Sequence, residues 1–111
     1  MKKQIASEKA PGAIGPYSQA IVANNFLYCS GQLPINAANG EMPEDIREQT
    51  RQSLMNVKYV LEAAGLSLNN VVKTTVYLAD MSLFGPMNEV YQEVFEAPYP
   101  CLLYTSDAAD D

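Results

Sequence analysis

The sequence lacks groups on which several common enzyme mechanisms depend. It has no histidine and no tryptophan among its 111 residues. Without an imidazole, a Ser-His-Asp triad, a Cys-His pair and histidine-containing zinc sites are excluded. The two cysteines, Cys29 and Cys101, form no Cys-x-x-Cys motif, which argues against a compact zinc site and favours a reducing compartment. We therefore predict a cytoplasmic location.

Long apolar runs and an excess of positive charge are also missing. No segment approaches the roughly 18 consecutive apolar residues of a membrane span, and residues 1–12 lack the apolar stretch of a signal peptide. Seven basic residues against thirteen acidic ones give a net charge of -6, the wrong sign for neutralising phosphates. We predict a soluble protein with no membrane partner and consider nucleic acid an unfavourable partner.

Periodic patterns predict one compact domain of alternating strands and helices. Residues 3–6 fit an edge strand, and residues 18–23 and 26–30 fit a hairpin that turns at Asn24-Asn25. Cys29 is predicted to be a small buried side chain in this hairpin. Residues 31–43 are rich in proline, asparagine and glycine, a composition typical of a loop.

The second half of the sequence continues with helix, strand and helix. Apolar or small residues recur every three or four positions from 46 to 64, which predicts an amphipathic helix that ends at Gly65. Residues 71–78 fit a strand. A second helix is predicted to begin near Ser82 or Gly85 and to end before Pro98. This order predicts an α/β or α+β domain with both helices on one sheet face.

Six sequence blocks, in this order and spacing, resemble the RidA family, also called the YjgF family. They are residues 13–20 (AIGPYSQA), 30–34 (SGQLP), 49–57 (QTRQSLMNV), 72–78 (VKTTVYL), 87–91 (MNEVY) and 99–100 (YP). The resemblance extends over about residues 1–100.

The resemblance implies an α+β, chorismate-mutase-like fold in which a mixed β-sheet carries two helices on one face. It also implies a homotrimer whose small-molecule pockets lie between subunits. The implied activity is hydrolysis of 2-imino or enamine acids, such as 2-iminobutanoate and 2-iminopropanoate, to 2-keto acids and ammonia. No metal or other cofactor is implied, and the expected ligand is a small imino or keto acid.

The resemblance also implies four substrate-binding residues: Tyr17, Ser30, Gly31 and Asn88. Tyr17 would form a wall of the pocket, Gly31 would offer its backbone N–H to the substrate carboxylate, and Asn88 would line the pocket. Each role has a structural alternative, because Tyr17 could pack in a core or interface and Gly31 could simply end a strand. Asn88 could lie on a solvated helix face.

Two further family residues are absent, so the catalytic residues of this chain are unknown. Leu102 occupies the position of an arginine that follows the Tyr-Pro-x motif and binds the carboxylate. The family's glutamate on its final strand, proposed to position water, has no counterpart before Asp111. A lost charge-assisted hydrogen bond is worth roughly 1.5 to 3 kcal/mol, so we predict little or no deaminase activity.

The resemblance vanishes after Pro100. We predict that residues 101–111 form a disordered tail outside the family domain, produced by a frameshift or another foreign ending, with residues 101–105 as the one possible short strand. The fold would then lack the family's final strand or strands.

Two other functions remain open at this stage. A non-catalytic module of the same fold could bind small carboxylates or a protein partner in the cleft between subunits. Ribonuclease activity or inhibition of translation is the third possibility, which the negative charge and the missing histidine disfavour.

Overall fold

The computed structural model describes residues 1–106, which form an α+β fold of five strands and two helices. The elements in chain order are β1 (Lys3–Ile5), β2 (Ala20–Ala23), β3 (Phe26–Cys29), α1 (Ile46–Ala63), β4 (Lys73–Leu78), α2 (Phe84–Val94) and β5 (Cys101–Ser106). Short 3-10 helices precede β4 and α2. The predicted hairpin, both helices and the strand between them are confirmed.

Local backbone geometry explains where two elements end. Asn24 and Asn25 adopt positive φ angles of 52° and 66°, the geometry that a two-residue hairpin turn requires. Gly65 has a φ of 76° directly after the C-cap of α1, as predicted from the glycine at that position. The Asp45 carboxylate caps the other end by accepting hydrogen bonds from the first-turn N–H groups of Arg47 and Glu48.

The strands form two small sheets, which corrects the expectation of one mixed sheet. β1, β2 and β3 form an antiparallel sheet in that order, and β4 pairs in parallel with β5. Within residues 1–106, β3 and β4 each have only one hydrogen-bonded neighbour, so no ladder joins the sheets.

Helix α1 packs against both sheets because two of its faces are buried. On one face, Leu54 joins a core that contains Leu78 of β4 and Met87 of α2. On the other face, fully buried Val60 packs in a second core with Ala20 of β2. The predicted apolar face of α1 is therefore correct but incomplete, since the second buried face also carries a polar residue, Asn56.

The prediction of a disordered tail from residue 101 is wrong for residues 101–106. Cys101–Ser106 form β5, which pairs with β4 in register from Lys73↔Cys101 to Leu78↔Ser106. Leu102 packs against the first core, and the ring of Tyr104 stacks on that of Phe84 with centroids 4.2 Å apart. These apolar contacts order the segment. Residues 107–111, the rest of the predicted tail, lie outside the described residues.

Candidate functional site

A buried amide, Gln19, organises the segments that carry three of the predicted site residues. Gln19 lies just before β2 and is only 5% exposed. Its Oε1 accepts a hydrogen bond from the N–H of Ser7 at 2.6 Å, and its Nε2 donates to the carbonyls of Ser7 and Pro11 at 3.1 and 2.7 Å. Its side chain thereby attaches the irregular N-terminal loop to the first sheet.

Ser30 continues this network across the hairpin. Its N–H donates to the Gln19 carbonyl at 2.9 Å, and its Oγ donates to the Ser18 carbonyl at 2.6 Å. The single hydroxyl proton of Ser30 is therefore already engaged inside the protein, and the oxygen retains only acceptor capacity for a ligand. Its substrate-binding role stays a prediction, restricted to accepting a hydrogen bond.

Gly31 presents an open backbone donor beside this network. Its N–H has no acceptor within residues 1–106, and the residue is exposed. A Cβ built at Gly31 would meet nothing within 4 Å, so packing in this chain does not require a glycine there. The space where a side chain would lie is therefore open at Gly31, and the residue as a whole is accessible to solvent.

Tyr17 lies at the end of the N-terminal loop and is 52% exposed. Its Oη accepts a long hydrogen bond from the N–H of Ile14 at 3.3 Å, and its own N–H donates to the Gly15 carbonyl at 2.9 Å. A Cβ at Gly15 would lie 3.8 Å from the Tyr17 ring, and the φ of 125° at Gly15 also favours glycine. The Tyr17 ring is therefore partly exposed to solvent and does not belong to a core.

A second buried amide, Asn56, holds the chain that follows Gly31. Asn56 is fully buried, and its Nδ2 donates to the carbonyls of Leu33 and Ile35, both at 2.9 Å. Its Oδ1 accepts from the Nε2 of Gln52 at 3.0 Å. Since every polar atom of this amide is paired, Asn56 fixes the start of the loop between β3 and α1.

Asn88, the fourth predicted residue, lies apart from this network. It is half-buried on α2, and no hydrogen bond joins it to Tyr17, Ser30 or Gly31 within the described residues. Its neighbour Glu89 pairs with Arg47 of α1 at 2.6 Å on the exposed side of the helices. The structure thus brings three of the four predicted residues into one connected region.

Leu102 lies where the resemblance expects a carboxylate-binding arginine. Its side chain is half-buried and contacts the first core, on the same side of β5 as the helices. Arg47 and Arg51, the only arginines in the sequence, are both engaged with glutamates between α1 and α2. In this structure the guanidinium groups therefore interact with protein carboxylates.

A groove lies elsewhere, between the N-terminal loop, the loop before α1 and the outer face of α1. It measures about 470 Å³, and its lining includes Lys9, Arg51 and Tyr59 but none of the four predicted residues. The cationic side chains of Arg51 and Lys9 already have partners in the protein. Arg51 forms ion pairs with two glutamates, and the Lys9 ammonium lies 5.9 Å above the Tyr59 ring. We therefore do not assign the substrate to this groove.

Residues 1–106 contain neither a cluster of potential metal ligands nor a helix that could span a membrane. This part of the chain contains no cluster of three or more cysteine, aspartate or glutamate side chains that could hold a metal ion. Neither of its α-helices has the combination of length and apolarity that crossing a membrane requires.

The predicted burial of Cys29 is wrong, since the residue is exposed at the end of β3. Its thiol is still partly desolvated, which raises its pKa. A raised pKa leaves less thiolate at neutral pH, so the structure offers no activated nucleophile at this position.

Comparison with known proteins identifies the family. A family model described as endoribonuclease L-PSP matches residues 7–105. The chain belongs to this family. Among its curated relatives, a RutC family protein from Pyrococcus horikoshii is 57% identical over 101 residues, covering 90% of this chain and 80% of the relative. The 2-iminobutanoate/2-iminopropanoate deaminase of Escherichia coli is 48% identical over 95 residues, covering 86% of this chain and 74% of the enzyme.

Solved structures of the family have the same fold. E. coli TdcF with bound serine superposes with a TM-score of 0.91 at 41% identity and covers 96% of this chain and 86% of that chain. The YjgF gene product of E. coli also gives a TM-score of 0.91, at 44% identity over the same shares. The RidA-like fold predicted from the sequence blocks is therefore confirmed.

Sequence reasoning did not assign roles to the two amides that organise the region. Gln19 lies inside the block at residues 13–20, two positions after Tyr17. Its position in a block that resembles the family was an indication of a role in this region. Asn56 is not on the apolar face from which α1 was predicted. It lies on the second buried face, so the apolar pattern did not indicate its burial. Only the contact of that face with the loop at Leu33 and Ile35 shows its role.

Proposed function

We propose that this chain binds small 2-imino and 2-oxo acids at the surface of Tyr17, Ser30 and Gly31, and that it hydrolyses 2-imino acids slowly. The observation that carries this proposal is the N–H of Gly31, an exposed residue beside the Gln19–Ser30 network, which has no acceptor within residues 1–106. Membership of a family that includes a 2-iminobutanoate/2-iminopropanoate deaminase supports the substrate class. The serine bound to TdcF supports it too, because serine also carries a small carboxylate.

The proposed reaction consumes one water and releases one ammonia. Water adds its oxygen to the carbon of the protonated C=N bond, and one proton passes from the added water to the nitrogen. The C–N bond then breaks to release ammonia, the hydroxyl loses its proton to solvent, and a C=O bond remains. An imine carbon is already electrophilic, so the protein needs chiefly to orient the substrate and the water. Gly31 would donate to the carboxylate, the Ser30 oxygen would accept from the imine N–H, and the Tyr17 ring would wall the pocket. No cofactor enters this scheme.

Slow turnover follows from Leu102. The apolar side chain supplies no positive charge to the carboxylate, and a charge-assisted hydrogen bond contributes roughly 1.5 to 3 kcal/mol.

Ammonia release tests the proposal. The purified chain is added to 2-iminobutanoate generated in place, with the E. coli deaminase as the positive control and heat-denatured chain as the blank. We expect ammonia release above the blank but far slower than that of the E. coli enzyme, together with measurable binding of 2-oxobutanoate. Release at a rate comparable to that of the E. coli enzyme would show that Leu102 does not limit the reaction. Absence of both binding and turnover would refute the substrate class.

We further propose that the working assembly is a homotrimer with its sites between subunits. Large apolar side chains remain exposed on the sheet faces directed away from the helices: Phe26, Tyr28, Tyr77 and Leu103 are 56–80% exposed. Burial of such a surface against other subunits is favourable. Light scattering after size-exclusion chromatography should give three times the chain mass, and a stable monomer would contradict the trimer. The cytoplasmic location stays a prediction.

A further inference from the structure

We propose that Gln19 is a positioning residue that fixes Tyr17 relative to the free N–H of Gly31. The inference rests on the proposed function, because it concerns the same binding surface. Gln19 itself does not face that surface: it is buried, and its side chain contacts only the backbone of Ser7 and Pro11 through hydrogen bonds. Its effect on a ligand would pass through the two segments that it joins.

The first segment is the loop that precedes Tyr17, which has little regular structure of its own. Residues 6–19 contain no helix or strand, and proline at positions 11 and 16 removes two backbone donors. The only backbone hydrogen bond within this stretch is that from Tyr17 to Gly15. The three hydrogen bonds of the Gln19 side chain therefore supply most of the polar attachment of the loop to the sheet.

The second segment is the end of the hairpin that carries Ser30 and Gly31. Ser30 continues the β2–β3 ladder by one more pair, since its N–H donates to the Gln19 carbonyl. Its hydroxyl donates to Ser18, the residue between Tyr17 and Gln19. Backbone and side chain of Gln19 thus belong to one network that reaches both binding segments, and displacement of Gln19 should disturb both together.

The fold provides a way to change Gln19 without unfolding the chain. Ala10, in the middle of the same loop, is 2% exposed and packs in the second core with Val60. This apolar anchor remains when the amide is removed. Gln19→Met keeps the length and volume of the side chain and deletes its three hydrogen bonds.

A matched control exists on α1. The Nε2 of Gln49 donates to the Pro43 carbonyl at 2.7 Å, so Gln49→Met also deletes a part-buried hydrogen bond between a side-chain amide and a loop carbonyl. Pro43 lies at the α1 end of the loop between β3 and α1, whereas Ser30 and Gly31 lie at its β3 end. If the Gln19 variant does not fold, Ser30→Ala provides a second route, since it removes the 2.6 Å bond to Ser18 and should loosen the same two segments.

The test is amide hydrogen exchange followed by NMR, together with titration of 2-oxobutanoate. In Gln19→Met we expect exchange at the amides of Tyr17 and Ser30 to accelerate about tenfold, with a smaller change at Val60 in the core. We expect 2-oxobutanoate to bind at least about fivefold more weakly, while Gln49→Met changes exchange and binding less than about twofold.

Two results would overturn the positioning role. Exchange that accelerates equally at Tyr17, Ser30 and Val60 would show a general loss of stability, and exchange that accelerates only at Ser7 would show that the segments are independent. If the unmodified chain does not bind 2-oxobutanoate, the proposed function fails. Exchange at Tyr17 and Ser30 still decides the positioning role in that case.

Discussion

The two halves of the molecule are held together in different ways. The β1–β3 half has a small apolar core and depends on two buried amides, Gln19 and Asn56, that fix irregular loops. The half formed by β4, α2 and β5 has a larger apolar core that includes Met87 and Phe95. The first half carries Gly31, an exposed residue whose N–H has no acceptor within residues 1–106, whereas the second carries Leu102, an apolar side chain packed against its core.

Because of this difference, we expect the apolar half to contribute most to stability and the amide-held half to fix the geometry of the binding surface. Apolar packing is tolerant of direction, so it can hold a helix on a sheet without fixing a loop atom precisely. Hydrogen bonds from a buried amide fix distance and angle, and they suit the placement of a backbone donor. We therefore expect substitutions in the two halves to affect different properties.

The largest expected effect lies in the apolar half. Met87 is 1% exposed, so Met87→Ala should leave a cavity and lower the free energy of unfolding by about 3 kcal/mol. Met81→Ala, at a position 41% exposed, is the control and should cost less than about 0.5 kcal/mol. Urea denaturation measures both. Equal losses would show that the apolar core does not dominate this half.

A somewhat smaller effect is expected from the amide half. Asn56→Leu deprives the carbonyls of Leu33 and Ile35 of their donor, and the free energy of unfolding should fall by about 2 kcal/mol. Asn69→Ala changes an exposed asparagine and serves as the control. If Asn56→Leu unfolds no more easily than the control, then buried amides are not what holds this half together.

A substitution at position 102 would add a positive charge to the apolar half. Leu102→Arg should strengthen 2-oxobutanoate binding about tenfold, since a guanidinium forms charge-assisted hydrogen bonds with a carboxylate. Leu102→Met preserves the apolar contact with the core and should leave the affinity unchanged. Isothermal titration calorimetry measures both variants. Equal affinities in the two variants would mean that position 102 does not reach the ligand.

The smallest effect concerns alkaline pH. Desolvation raises the pKa of Tyr91, outweighing the opposite effect of its 2.8 Å hydrogen bond with Thr74. The folded state therefore favours the neutral phenol, and this contribution to stability is present below about pH 10 and is lost as pH rises through the folded-state pKa. Tyr91→Phe should unfold with a weaker dependence on pH in that range. If the pH dependence of unfolding is the same in Tyr91→Phe as in the unmodified chain, then Tyr91 is not the group responsible for it.

The sequence allowed most of the fold to be predicted because its elements are periodic or punctuated. The hairpin at Asn24-Asn25 and the end of α1 at Gly65 follow from local backbone preferences. Disorder was predicted wrongly for residues 101–106, since the order of β5 depends on distant contacts with β4 and Phe84. Local sequence does not contain those contacts.

The site was only partly predictable for a related reason. Sequence blocks predicted Tyr17, Ser30 and Gly31 as binding residues, and the structure places these three in one region, but their binding role stays a prediction. The roles of Gln19 and Asn56 depend on which carbonyls the folded loops bring to them. A polar residue in a sequence indicates solvent more often than burial, so such amides emerge only from the three-dimensional contacts.

We expect the amide-held half to bind small carboxylates at Tyr17, Ser30 and Gly31, whatever the rate of turnover. Titration of the isotope-labelled chain with 2-oxobutanoate, followed by amide NMR shifts, tests this most directly. We predict saturable shifts at the amides of Gly31 and Tyr17. Shifts confined to the groove at Lys9 and Arg51, or no saturable shift at Gly31, would contradict the claim.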